Sequence, residues 1–527
     1  MNKYDQYILA CVNRVGYTVG RELNSQLQEQ FGISSLYARK TIQRAVEAGI
    51  IYSSSPVTFG NGQYAYLSMN YHLNKEVVMK ISRVYRPAIY RILSVMDLNG
   101  GIISYYESMK VSGAPLNKEK TKTDSLDKII KELEILNLVN IISDSKGVKY
   151  LINPSLIDNS DKYTADHFFR MRTDSMFVQD ILRALINFNI IDNVKILYRN
   201  KNTPSVGVSH NNFLWDVIAY TKTTGINLIK AVDANSIDKQ TMVVIDIVIH
   251  RPYTDHDFQG FYSRIQSVLN SVKDGKRKVL PIIIYAEIET KKLYHTIHKL
   301  GFLTFDLGTI FGSKIYDIIK NVNELKIDKL MSNDSIHISN VVEETLATIK
   351  SSGQEVNLRN IRGDLFEFLI YSILPSIFGN SSIQHGPILK SNGEFYEYDF
   401  IITSPHLKEI TVIEAKGFMS NAKIPLGNIE TKNTTSWFFG KTFPFAKKML
   451  KSELYPNVSA CYITSAGFID DAIETMEQLN RGNMKPSKID TWYDRNKLMS
   501  LLDQNGQSKV KDIIEKYYLA EVEIPTS

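Results

Sequence analysis

Residues 410–418, ITVIEAKGF, form an apolar run that ends with a carboxylate and an ammonium two positions apart. Side chains alternate faces along a strand, so Glu414 and Lys416 point the same way. Such a pair can be a surface salt bridge, which contributes little, or one side of a site that hydrolyses phosphodiesters. That hydrolysis calls for a divalent cation to generate hydroxide and offset added negative charge. It also calls for hard oxygen ligands and a fixed cation beside the reacting phosphate. The tripeptide Glu-x-Lys decides nothing alone, because it recurs at Glu289, Glu324 and Glu430. Glu289 and Lys291 fall at a strand–helix junction, Glu324 and Lys326 in a helical or linker segment, and Glu430 and Lys432 in a predicted helix. Only Glu414 and Lys416 follow a strand that follows an acid-bearing strand, "YDFII" with Asp399. That strand in turn follows a helix, "NIRGDLFEFLIYSILPSIFG", with Glu367 four residues after Gly363.

The elements that must hold these residues alternate in type. After the Glu-x-Lys strand, "NIETKNTTSWFFGKTFPFAKKML" reads as helix, "SACYITSAG" as a buried strand and "IDDAIETMEQLNR" as a helix. The order Gly363-x-x-x-Glu367, Asp399, Glu414-Ala415-Lys416 resembles the PD-(D/E)XK superfamily, the restriction-endonuclease-like fold. The segment "EYDFI…VIEAKG" is similar to that superfamily's E-x-D-hydrophobic … E-x-K pattern, with Tyr398 in place of the nominal proline. The resemblance covers roughly residues 355–470. It implies catalytic roles for Glu367, Asp399, Glu414 and Lys416. It also implies Mg²⁺, with Mn²⁺ as a substitute, held by Asp399, Glu414 and the Ala415 carbonyl. Lys416 would orient the attacking water, and Glu367 would bind a second ion or a metal-bound water.

A middle segment from about Tyr163 has the same alternation. The strands "NFLWDVIAYT" and "TMVVIDIVIH" carry Asp216 and Asp246, but position 248, where the lysine belongs, is valine. This predicts a nuclease-like, inactive α/β domain that serves interaction. No Gly-rich loop follows an early strand, which argues against a dinucleotide fold.

The front of the chain reads as two helical units, each closed by a hairpin. "YDQYILACVNRVG", "TVGRELNSQLQEQFG" and "ISSLYARKTIQRAVEAG" precede two strands across Gly60-Asn61-Gly62. A second set runs from "RPAIYRILSVMDLNG" to a hairpin around "DSKG". Both are similar to winged helix-turn-helix domains. The Ser35–Ala48 helix would be the recognition helix. Tyr37, Arg39, Lys40, Gln43 and Arg44 would face DNA, with Leu36, Ile42, Ala45 and Val46 packed inward. Lys118, Lys120 and Lys122 add a basic connection suited to phosphates. Charge placement agrees: residues 1–152 hold 19 basic and 13 acidic residues, which is the whole excess of +6.

The expected fold class is therefore multidomain α/β and α+β. Winged helices span 1–72 and 73–157, a nuclease-like domain spans 158–335, and the nuclease domain spans 336–527. The 43% hydrophobic and 22% charged fractions are ordinary for a globular chain. No apolar run approaches a membrane span, and the opening residues do not read as a signal peptide. Cys11 and Cys461 lie far apart, as packed thiols of a reducing cytoplasm would. No phosphate-binding G-x-x-x-x-G-K-[ST] loop occurs, so no nucleotide cofactor is expected. His385, His406 and the middle histidines lack metal-ligand spacing.

These features predict a DNA endonuclease, with restriction or anti-phage defence implied only by family analogy. The rivals are a DNA-binding regulator with a vestigial nuclease fold and a transposition or recombination nuclease acting with a partner. Cutting both strands would call for a homodimer or a partner protein.

Overall fold

A computed structural model describes residues 1–117, 124–222, 241–271, 279–325, 335–419 and 422–519. The chain is mixed α/β, with two small three-stranded sheets in its front part and two five-stranded sheets behind them. Among the described residues no helix is long and apolar enough to cross a membrane.

The first unit has helices Lys3–Asn13, Gly20–Phe31 and Ser35–Glu47, with strand Tyr17–Val19 between the first two. Strands Tyr52–Ser53 and Ala65–Leu67 follow, and Ala65–Leu67 lies central in the sheet. The second unit repeats this order. Helices Pro87–Leu98, Tyr105–Ser112 and Leu126–Ile135 combine with strands Ile102–Ser104, Asn140–Ser143 and Lys149–Ile152, the last again central. Local chemistry explains the boundaries. Ser34 accepts a bond from the Tyr37 amide at 3.3 Å, and Ser104 with Glu107 forms a reciprocal cap. Gly60, Asn61 and Gly62 all take positive φ, which lets the long connection reverse direction. The helix Lys75–Tyr85 and the short strands Tyr17–Val19 and Ile102–Ser104 are absent from the sequence reading, because strands of three residues carry almost no alternation.

Leu36 is a correction. It is 65% exposed, because the buried stripe of its helix runs through Ala38, Thr41, Ile42 and Ala45, roughly half a turn away. Lys118, Lys120 and Lys122 lie outside the described residues.

The two large sheets share one design. In the middle domain the order is Leu197–Tyr198, Val217–Thr221, Thr241–Val248, Val279–Tyr285, Leu303–Asp306. In the C-terminal domain it is Ser382–His385, Phe400–Ser404, Glu409–Lys416, Asn457–Thr464, Trp492–Tyr493. Each sheet has two antiparallel pairings followed by two parallel ones. The registers coincide as well: Val217 pairs with Ile245, and Phe400 pairs with Ile413. Asp216 thus lies opposite Asp246 as Asp399 lies opposite Glu414, and Val248 occupies the place of Lys416.

Three details differ from the sequence reading. Asp399 sits one residue before its strand rather than within it, and Asp216 sits at a break between Phe213–Trp215 and Val217–Thr221. In both places the acid side chain accepts the amide of the strand on one side, while its backbone carbonyl accepts an amide on the other, from Gly386 and from Arg199. Residues 428–434 form a loop rather than the start of a helix: Asn433 takes positive φ, and Thr434 caps the helix that starts at Thr435. Glu430 therefore lies in a turn and pairs with Lys441 at 3.2 Å. The edge strand Trp492–Tyr493 and the helices Arg495–Gln504 and Ser508–Ile514 complete the C-terminal domain without a clear sequence signal. Cys461 is buried and Cys11 half-buried, both free.

The largest apolar core crosses the domain boundary, from Phe169 and Phe177 of the middle domain to Phe366, Leu369 and Tyr518. The helix Arg359–Phe378 is at its centre and is buried around its whole circumference, not along one stripe.

Candidate active site

Asp399 anchors the C-terminal site. Its Oδ2 accepts the Ala415 amide at 2.7 Å and the Lys416 ammonium at 3.0 Å. The same ammonium lies 2.9 Å from Glu414 Oε1, so it bridges both carboxylates. A strand residue presents its N–H and C=O to the same side. The Ala415 carbonyl therefore also faces Asp399, which gives three oxygens in one place. Gly417 lets the helix approach: a Cβ there would lie 2.4 Å from Phe366 Cβ.

Glu367 comes from that helix, and its environment holds residues the sequence did not single out. Lys201 Nζ, from the middle domain, lies 3.2 Å from Glu367 Oε1 and also bonds Asp364. His385 Nε2 lies 3.7 Å from Glu367 Oε2, and its ring stacks on Phe400. Glu397, part of the E-x-D pattern, is half-buried near them. No spacing rule could find Lys201, which is over 160 positions from its partners; His385 lacked a histidine or cysteine neighbour to flag it.

The electrostatics are those of an acid cluster short of cations. Burial, reinforced by Glu414 and Glu367, raises the Asp399 carboxyl well above its ordinary range. Burial pushes Glu397 up to about 7 and the His385 imidazole down to about 4, so the histidine is neutral at neutral pH. Burial opposes the Lys416 charge, but Asp399, Glu414 and Glu367 outweigh it and keep the ammonium protonated. A cavity of about 600 Å³ runs along this wall, lined by Lys201, Asp364, Glu367, Ala415 and Lys416. Asp399 and Glu414 lie outside that lining, with Lys416 held against both.

The middle domain carries the same cradle with its cation built in. Ile247, the counterpart of Ala415, donates its amide to Asp216 Oδ2 at 2.8 Å. Lys110, from the second front unit, sets its ammonium 2.5 Å from Asp216 Oδ2, 3.2 Å from Asp246 Oδ1 and 3.3 Å from the Ile247 carbonyl. One ammonium thus takes the three oxygens equivalent to those of Asp399, Glu414 and Ala415. Arg199 and Arg264 add further ion pairs to Asp216 and Asp246, and Arg199 also reaches Asp174. Asp174, Asp216 and Asp246 are thus paired by Lys110, Arg199 and Arg264, with His250 also on Asp174, and Lys110 and Arg199 hold the Asp216 carboxyl down at about 2 against its burial.

The C-terminal cluster is not balanced in this way. Asp364, Glu367, Glu397, Asp399 and Glu414 face Lys201, Lys416 and Arg172, whose charge acts on both Asp364 and Glu397. The ionised cluster carries two unmatched negative charges. Among the described residues no three His, Cys, Asp or Glu side chains converge as a ready metal cage. Two carboxylates and a carbonyl still fit Mg²⁺, which keeps several waters. The lysine seated on the equivalent oxygens of the middle domain shows that this geometry accepts a cation.

At the front, Tyr37, Arg39, Lys40, Gln43 and Arg44 are all exposed on the Ser35–Glu47 helix. Arg39 and Gln43 border a groove of about 910 Å³ between that helix and the 53–64 connection. Tyr37 packs edge-on against Tyr4.

Comparison with family models, with curated proteins and with solved structures returns no match.

Proposed function

We propose that this chain is a Mg²⁺-dependent DNA endonuclease, with DNA recruited by the two front units and cut at the Asp399–Glu414–Lys416 site. One observation carries the reading: the acid cluster around the Asp399–Glu414 cradle carries two unmatched negative charges when ionised, while the equivalent cluster in the same chain is matched by Lys110, Arg199 and Arg264. When bound, a divalent ion would supply Lewis-acid activation of water and charge stabilisation. The chain's own groups do the rest. Asp399, Glu414 and the Ala415 carbonyl hold the ion, and Lys416 offers its ammonium to the phosphate and the attacking water. Glu367 orients groups on the cavity side. The helix face with Arg39, Lys40 and Arg44 supplies phosphate contacts, and Gln43 suits a base edge.

The test is cleavage of a panel of duplex, branched and modified DNAs with Mg²⁺ by the wild type, Asp399→Asn and Lys416→Ala. Cleavage by the wild type that both substitutions abolish supports the reading; equal inactivity of all three on every substrate sinks it. The rival, a DNA-binding regulator, draws on the middle copy, whose acids are paired with the chain's own cations. It requires DNA binding by the wild type with no cleavage.

A further inference from the structure

One cation of the C-terminal cluster is not part of the C-terminal domain. Lys201 follows the edge strand Leu197–Tyr198 of the middle sheet and reaches across to Asp364 and Glu367. These two acids are three residues apart, so they share one helix face, and both line the cavity with Ala415 and Lys416. Asp364 Oδ2 is buried without a hydrogen-bond partner. Beside the Asp399–Glu414 pair they would otherwise form a second set of hard oxygens, the kind of set that holds a second ion in two-metal hydrolysis. The chain has already answered a similar question once, by seating the Lys110 ammonium on two carboxylates of the middle domain.

Charge decides how many ions this cluster can take. Fully ionised, the four carboxylates exceed the two ammoniums by two negative charges, which one divalent ion cancels as it displaces the proton that burial otherwise favours on Asp399. A second would leave an uncompensated double positive charge in a largely buried site, which is strongly unfavourable. Resting on the nuclease reading above, we infer that the site holds a single divalent ion. Lys201, donated by the middle domain, is a positioning residue that takes the place of a second ion by clamping Asp364 and Glu367. Catalytic competence then depends on docking of the middle domain.

The experiment counts Mn²⁺ bound to the full chain by calorimetry and by electron paramagnetic resonance. Wild type should take up one ion that Asp399→Asn removes. Lys201→Met should take up two, the second lost again in Lys201→Met combined with Glu367→Gln. Lys201→Arg should return to one, an outcome that a purely structural role would not require. Two cleft ions in the wild type, alongside Mg²⁺-dependent cleavage, overturn the inference and leave the endonuclease reading standing. One ion in both wild type and folded Lys201→Met does the same. If Lys201→Met does not fold, the wild-type count alone still decides. Absence of any ion sensitive to Asp399→Asn overturns the inference together with the reading it rests on.

Discussion

Lys416 sits 3.0 Å from Asp399 and 2.9 Å from Glu414, so it holds two carboxylates that would otherwise repel each other. On the endonuclease reading, a neutral replacement removes both the clamp and the charge offered to the phosphate. Lys416→Ala should therefore lower Mg²⁺-dependent cleavage by about 100-fold or more, as loss of a preorganised electrostatic group does. Steady-state assays should place most of the loss in kcat rather than in DNA affinity. Lys416→Arg should rescue poorly, because a planar guanidinium cannot occupy the compact bridging position. At the front, Arg39 and Arg44 are exposed on one helix, and replacing both by alanine should weaken DNA binding. The slope of log affinity against log salt should become shallower by about two units if each contacts a phosphate. Filter binding or fluorescence anisotropy across a salt series measures that slope.

At the scale of elements, the helix Arg359–Phe378 is capped from outside its own domain. Asp180, on the helix Val178–Asn187, accepts from the Asn360 amide at 3.3 Å, the Asn360 side chain at 2.9 Å and the Ile361 amide at 3.2 Å. Its charge also suits the positive end of the helix dipole. Burial nevertheless wins and pushes the Asp180 carboxyl up to about 6. A folded-state pKa above the unfolded one adds stability below the unfolded value, and that contribution is lost as pH rises through the folded value. The window is therefore about pH 4 to 6, with stability falling as pH rises. Asp180→Asn has no such titration, so its Tm minus that of the wild type should increase between pH 4 and pH 7. A constant difference in thermal melts across that range would count against the account. The strands themselves need less explanation: Phe400–Ser404, Glu409–Lys416 and Asn457–Thr464 are buried along most of their length because they are central in a covered sheet.

For the whole molecule, two lysines connect the parts. Lys110 joins the second front unit to the middle domain, and Lys201 joins the middle domain to the C-terminal site. Lys110 is buried with both partners, so its loss leaves Asp216 and Asp246 less than fully paired. Lys110→Met should destabilise the chain by about 3 kcal/mol or more, the usual cost of breaking a buried ion pair from one side. Limited proteolysis should then release the front units from the rest, while a surface control such as Lys80→Met should not. Lys80 is a suitable control because its partner Glu76 lies one turn away on the same exposed helix. The continuous core from Phe169 to Tyr518 means that the two large sheets should unfold together rather than as separate domains.

Read alone, the sequence determined the order of elements around the site, since periodic apolar runs and acids at strand ends are local signals. It picked out Glu367, Asp399, Glu414 and Lys416, and it noticed Asp216, Asp246 and the missing lysine at position 248. Local patterns also misled: Leu36 looked apolar and therefore buried, and residues 428–434 looked helical although they form a loop. Tertiary structure alone decided which cation meets which acid. Lys110 and Lys201 are ordinary surface-type residues until folding brings them against acids more than 100 positions away. Coulomb energy depends on distance in space, not in sequence. The contrast between a charge-matched acid cluster and one with acids in excess therefore exists only in the folded chain.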